Sequence, residues 1–309
     1  MAAGPASERD RKAGAILGQL VGDAAALGTH WIYDQAELAR RYPEIRGFEA
    51  PAPGHYHSGK RPGEQTHYGD GARLMLASVA ARGRFDRDDF GRRFVDLFRG
   101  YRGYKDHATK GTLANVEAGL GFDRSGADDD QLATPSRLAP LVVAHQDDPR
   151  LLDRVDEATR VAQMNDRAVA YGRAVATILA ELLRGRDVEA ALDAVPGTPG
   201  VSDEVRELLA LARRLGAGDT VESTLLFGQS CPLPRSFPSA VQALLRHRGS
   251  FEEAILATLR AGGDSAGRAA VLGAWLGAAL GRDAIPDAWV RRLAAGDEIR
   301  ADVERLLGP

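Results

Sequence analysis

The sequence predicts an all-α protein, on two observations. Apolar residues recur at helical spacing through much of the chain, and alternating β-branched runs are almost absent. With 309 residues, 44% hydrophobic and 27% charged, the chain can bury a sizeable core. Its length leaves one large or two small domains open.

The elements follow in order. Residues 1–10 are polar and read as a loose tail without the apolar centre of a signal peptide. Residues 13–28 form a small-residue apolar helix, interrupted by Gln19 and Asp23 and too short to span a bilayer. Gly69-Asp70 opens a helix through about Ala81. Phe90, Phe94, Leu97, Phe98 and Tyr101 mark one buried face. So do Val175, Ile178, Leu179, Leu182 and Leu183, and again Val205, Leu208, Leu209 and Ala212. Gly185 and Gly249 have the character of helix C-caps. Ser250-Phe-Glu-Glu253 has capping-box spacing and opens a helix through about Ala261. Gly263-Asp264 opens another through about Leu280. Breaks fall at 50–63, 124–130, 196–200 and 228–238, none long or polar enough for a linker, so a single domain over 1–309 is expected. No repeat of 20–50 residues appears, which argues against a solenoid.

Composition excludes several functions. The net charge of −3, from 40 basic and 43 acidic residues, argues against bulk nucleic-acid binding. One cysteine, Cys231, leaves no intrachain disulfide and no cysteine-rich zinc module. With no apolar stretch long enough for a membrane span, the expected location is cytoplasmic.

The scarce residues are unevenly placed. Four of the seven His (His30, His55, His57, His67) and four of the seven Tyr (Tyr33, Tyr42, Tyr56, Tyr68) fall between residues 30 and 70, with Trp31. This Pro- and Gly-rich segment is where a helical scaffold would carry ligand contacts. The plainer explanation is a long connection stapled by aromatic packing. His55, His57 and His67 have zinc-ligand character, but a long loop rarely holds such geometry unsupported, so a zinc site is not expected there.

Three Gly-Asp pairs stand at helix edges: Gly22-Asp23, Gly69-Asp70 and Gly263-Asp264. Simple N-capping explains Asp70 and Asp264 singly. Arg73 and Arg268 follow at three and four residues, which places acid and base on one helix face. Two such edges meeting in a bundle would bind a polar anionic ligand; an exposed i,i+4 pair is the competing explanation.

These residues resemble the ADP-ribosylglycohydrolase family. Gly14-Ala-Ile-Leu-Gly18-Gln-Leu-Val-Gly22-Asp23-Ala24 is similar to its first helix. Arg137-Leu-Ala-Pro140 resembles a central Arg-x-x-Pro element. Residues 237–240, 251–254, 261–264, 273–278 and 285–286 resemble its C-terminal signature. The resemblance implies a compact orthogonal all-α bundle with a central cleft. It also implies cleavage of ADP-ribose from proteins or small molecules at the anomeric carbon, usually with two Mg²⁺ ions.

The departures from the family pattern are informative. Gly69-Asp70-Gly71-Ala72 stands for a Thr-Asp-Asp-Thr run, and Asp264-Ser265-Ala266-Gly267 for Asp-x-Asp-Thr. An acidic position falls near His30, and a central Thr-His pair near Gln163-Met164. His30-Trp-Ile-Tyr-Asp34, His67-Tyr-Gly-Asp70 and Gly263-Asp-Ser-Ala-Gly-Arg268 look like the branch that includes J1-crystallin and selenoprotein J.

Mg²⁺ asks for about six oxygens. Asp70 and Asp264 offer two carboxylates, with Ser265 as a weak extra ligand. Arg73 and Arg268 would repel a dication, so the arginines are expected to replace the metals as the positive element. A single weak Mg²⁺ stays open, and no other cofactor is implied. Asp34, Asp70, Asp264 and Asp23 are candidates to stabilise oxocarbenium charge or activate water, and His30 and His67 are candidate acids or bases. Trp31, Tyr33 and Tyr68 are candidate stacking surfaces, and Asp23, Arg73, Arg268 and Ser265 candidate ligand contacts. Three functions remain open: a glycohydrolase on an ADP-ribosyl or related ribosyl substrate, an enzyme on another small polar metabolite, and an inactive binding or structural protein on the same fold.

Overall fold

The computed structural model describes residues 6–308, which form sixteen α-helices and no strand. In chain order these are α1 (Glu8–Ala26), α2 (Gln35–Arg41), α3 (His67–Arg82), α4 (Arg87–Arg99), α5 (His107–Glu117), α6 (Ala139–His145), α7 (Leu151–Ala162) and α8 (Asp166–Leu183). There follow α9 (Val188–Ala194), α10 (Asp203–Arg214), α11 (Thr220–Phe227), α12 (Leu233–Arg246), α13 (Phe251–Arg260), α14 (Ser265–Leu280), α15 (Asp287–Arg291) and α16 (Gly296–Leu307).

The α1–α14 pair is the spine of the fold. α1 from Gly14 onward and α14 through Ala278 are buried on every side, as interior helices must be, while the charged first turns of α1 reach the surface. A β-carbon at Gly14 would meet the Gly277 backbone, at Gly18 the Gly273 backbone, and at Gly22 the Ala269 backbone. The descending partner numbers make the helices antiparallel, and glycine lets their backbones touch. The C-terminal end of α1 therefore lies beside the N-terminal end of α14. The remaining helices wrap this pair around one core cluster running from Ala15 to Val303.

The predicted helices at α4, α8, α10, α13 and α14 are present, with three differences. Ser7 caps α1 through a reciprocal bond with Asp10, so residues 8–10 of the expected tail are helical, while 1–5 lie outside the described residues. α3 begins two residues before Gly69, because Thr66 is its N-cap. Gly185 follows α8 with φ +79° as expected, but α12 ends at Arg246 and Gly249 sits beyond it in the turn before Ser250.

Candidate active site

The end of α1, the starts of α3, α5 and α14, and the 43–66 connection converge on one buried cluster. His30 follows α1, His67 is the first residue of α3, and His57 descends from the connection. One ring nitrogen of each lies within 4.8 Å of the others, and all three are buried. Trp31 stacks on His30 with centroids 4.1 Å apart, and Tyr56 and Tyr104 meet its ring edge-on at 5.1 and 4.7 Å. Tyr56 and Tyr33 stay exposed, so the cluster runs from aromatic rim to buried imidazoles. Trp31 holds φ +61°, a left-handed conformation rare for so large a residue. Its N–H donates to Gly263 O at 2.6 Å and its indole to Cys231 Sγ at 3.2 Å, which offset the strain.

Asp264 lies beneath the histidines, fully buried. It occupies the N-cap position of α14 without a well-formed capping bond: the Gly267 N–H and the Cys231 thiol stand near enough to pull on the carboxylate, but neither of its oxygens has a partner in hydrogen-bond geometry. Oδ1 faces His30 Nδ1 at 3.7 Å. Burial pushes its carboxyl up to about 6, against the pull of Arg268. Arg268, also buried, donates to the carbonyls of Gln229 and Gly262. Ser265 Oγ lies 3.4 Å from Thr29 Oγ1 and ties α14 to the end of α1. Burial and neighbouring imidazoles hold His30 well below its ordinary value and His57 down to about 2, so both rings are neutral.

The remaining candidates divide. Tyr68 is buried against His67, ring centroids 4.0 Å apart, with its hydroxyl unpartnered. Asp23 accepts from the Thr66 N–H and hydroxyl and pins α1 to the start of α3; burial lifts its carboxyl to about 6. Asp34 is exposed and caps α2 through Glu37 N at 2.7 Å. Asp70 accepts from Lys60 Nζ at 2.6 Å and from the Tyr101 hydroxyl, and Arg73 pairs with Glu298 of α16 at 2.7 Å. Asp70 and Arg73 line a surface groove with Leu97 and Glu298. The expectation of two Asp–Arg edges meeting in the bundle is thus corrected: only Asp264–Arg268 joins the cluster, because Asp70 sits one helical turn inside α3 and turns outward.

Several residues of the cluster escaped the sequence reading. Asp106, buried at the start of α5, has Oδ2 3.5 Å from His67 Nε2 while Oδ1 caps Thr109 N. Burial alone would raise its carboxyl, but His67 and Thr109 hold it well below the usual range. Tyr104 forms part of the rim. Arg137, noted only as part of a sequence element, is a fully buried guanidinium with Nη1 unpartnered. Asp106 and Tyr104 carry no local motif, and the Arg137 element does not tell that its guanidinium is buried; a buried charge is recognisable only once its surroundings are known.

Magnesium does not fit these donors. Asp70 is already held by an ammonium and a phenol, and Asp264 is surrounded by imidazoles and a guanidinium where an Mg²⁺ pair needs several carboxylates.

A profile of the ADP-ribosylglycohydrolase family matches residues 4–309. The chain belongs to the ADP-ribosylglycohydrolase family. Among its relatives are crystallin J1A and crystallin J1B of Tripedalia cystophora, each 26% identical, with 96% and 94% of both chains covered. A solved structure described as an ADP-ribosylglycohydrolase-related protein complex superposes with a TM-score of 0.79 at 28% identity, over 97% of this chain and 98% of that one. The candidate site lies where the end of α1 adjoins the start of α14.

Proposed function

We propose that the chain hydrolyses a ribosyl glycosidic bond of an ADP-ribosyl or related substrate in the cluster beneath Trp31. The observation that carries this reading is Asp264: a fully buried carboxylate with both oxygens unpartnered, which costs stability unless a ligand completes it. Family membership supports the reaction class. Trp31, Tyr56 and Tyr104 would take the flat face of a base or flank the ribose. Arg268 and Arg137 supply the positive charge that a phosphate needs. As the bond from the anomeric carbon to the leaving group breaks with oxocarbenium character, the attacking water would bond that carbon and give its proton to Asp264, which then passes it to the departing group.

The crystallin relatives favour a second reading, a non-catalytic structural protein on the same fold. The unpartnered groups count against it, since a scaffold gains nothing by burying them. Release of ADP-ribose from ADP-ribosylated protein and from small ADP-ribosyl conjugates separates the two. Turnover lost about 10²-fold or more in Asp264→Asn supports hydrolysis. No turnover, together with no thermal shift by ADP-ribose, supports the structural reading.

A further inference from the structure

We infer that His30, His57 and His67 form a binding site for a zinc-type transition-metal dication. Each ring offers one nitrogen to a common point, all within 4.8 Å of one another. Five of the six ring nitrogens have no hydrogen-bond partner, although all three residues are buried. The sixth, His30 Nδ1, takes the Ala266 N–H at 3.3 Å. Core histidines that only pack are normally satisfied, because each buried unmade bond costs about 1–3 kcal/mol.

Two of the rings also have the outer partner that metal-bound imidazoles usually carry. His30 presents Nδ1 to Asp264 Oδ1 at 3.7 Å and leaves Nε2 free; His67 presents Nε2 to Asp106 Oδ2 at 3.5 Å and leaves Nδ1 free. Coordination through His30 Nε2, His67 Nδ1 and one His57 nitrogen puts the ring protons on the carboxylate-facing nitrogens, so on binding His30 gives up the Ala266 N–H that its Nδ1 accepts and turns an Nδ1–H toward Asp264. Tetrahedral coordination brings such nitrogens to about 3.4 Å apart, a contraction that small ring rotations supply.

The chemistry of the donors selects the ion. Neutral imidazole suits Zn²⁺, Co²⁺, Ni²⁺ or Cu²⁺ and not Mg²⁺. Asp106 and Asp264 balance the charges of Arg137 and Arg268, whose guanidiniums are tied to the carbonyls of Ala133, Gln229 and Gly262. Support comes from the scaffold: His30 and His67 stand at helix ends, and only His57 belongs to the connection. His55 is not a ligand, because its ring bonds the His30 carbonyl and the His57 N–H. Three protein ligands leave one position open, the arrangement of zinc sites that also hold a water or a substrate oxygen.

The site stands on this geometry, independent of the proposed hydrolysis, and its test contains no substrate. Chelator-stripped protein is titrated calorimetrically with ZnCl₂ and with MgCl₂, alongside His57→Gln, His67→Gln and the exposed control His107→Gln. One Zn²⁺ per chain is expected, unaffected by millimolar Mg²⁺, weakened at least about 100-fold in His57→Gln and His67→Gln and unchanged in His107→Gln. Circular dichroism melts establish that the variants are folded. Zinc-edge X-ray absorption of the unmodified loaded protein gives a second readout, a shell rich in nitrogen at about 2.0–2.1 Å. Absence of saturable Zn²⁺ binding, binding unaltered in His57→Gln, or a shell without imidazole would each overturn the inference.

Discussion

Asp264 behaves unlike the other aspartates at helix starts among the described residues. Asp34, Asp86, Asp106, Asp187 and Asp219 each accept the backbone N–H three residues on, whereas Asp264 leaves its carboxylate bare. A residue type and spacing that spell N-cap thus do not guarantee a capping bond. Gly69-Asp70 and Gly263-Asp264 look alike in sequence, and their roles separate only because helix α3 begins earlier, at His67. Asp89 shows what a structural aspartate does here. Burial alone would raise its carboxyl, but hydrogen bonds from Arg82, Ser78 and Arg93 outweigh that and hold it at about 2. Because its pKa is depressed on folding, its contribution is present at neutral pH and fades as pH falls from about 4 through 2. Asp89→Asn is expected to cost about 1–2 kcal/mol at pH 7, discounted for the solvated arginines, and much less at pH 2. Urea unfolding at both pH values checks it; an equal loss at pH 2 and 7 would contradict it.

At the scale of elements, the site depends on how closely α1 and α14 approach. Their glycine rows leave no space for a β-carbon, and the atoms in the way are backbone. Gly18→Ala should destabilise by about 3 kcal/mol through overpacking and lower the thermal midpoint by several degrees; a midpoint unchanged from the parent would refute backbone contact. The aromatic rim, Trp31 from the turn after α1 and Tyr56 from the 43–66 connection, offers ring surface instead. Trp31→Ala and Tyr56→Ala should each weaken ADP-ribose binding by about tenfold or more, with Tyr56→Ala leaving the melting temperature near the parent value, because Tyr56 is solvent-exposed. Calorimetric titration measures both, and undiminished affinity would place the ligand elsewhere. Helix existence was readable from periodicity at α4, α8 and α10, whereas the start of α3 was not, because Thr66 caps it from within a Gly- and Pro-rich connection.

For the whole molecule, the all-α class and the family were readable because apolar spacing and the Gly-Asp-bearing helices run from end to end. The site was readable in part. The concentration of His and aromatic residues between 30 and 70 located its upper half, including His30, Trp31, His67 and Tyr68. In its lower half Asp264 and Arg268 were candidates from their spacing, whereas Asp106, Arg137 and Cys231 are drawn in by tertiary packing over distances that no local pattern spans. No helix among the described residues is long and apolar enough to cross a membrane. The proposed hydrolysis belongs to this cluster, built on Asp264 and not on Asp70. ADP-ribose release by the parent chain, Asp264→Asn and Asp70→Asn, each first shown to be folded, tests it most directly. A loss of about 10²-fold or more is expected in Asp264→Asn and a change within severalfold in Asp70→Asn. Full activity in Asp264→Asn, or selective loss in Asp70→Asn, would contradict it.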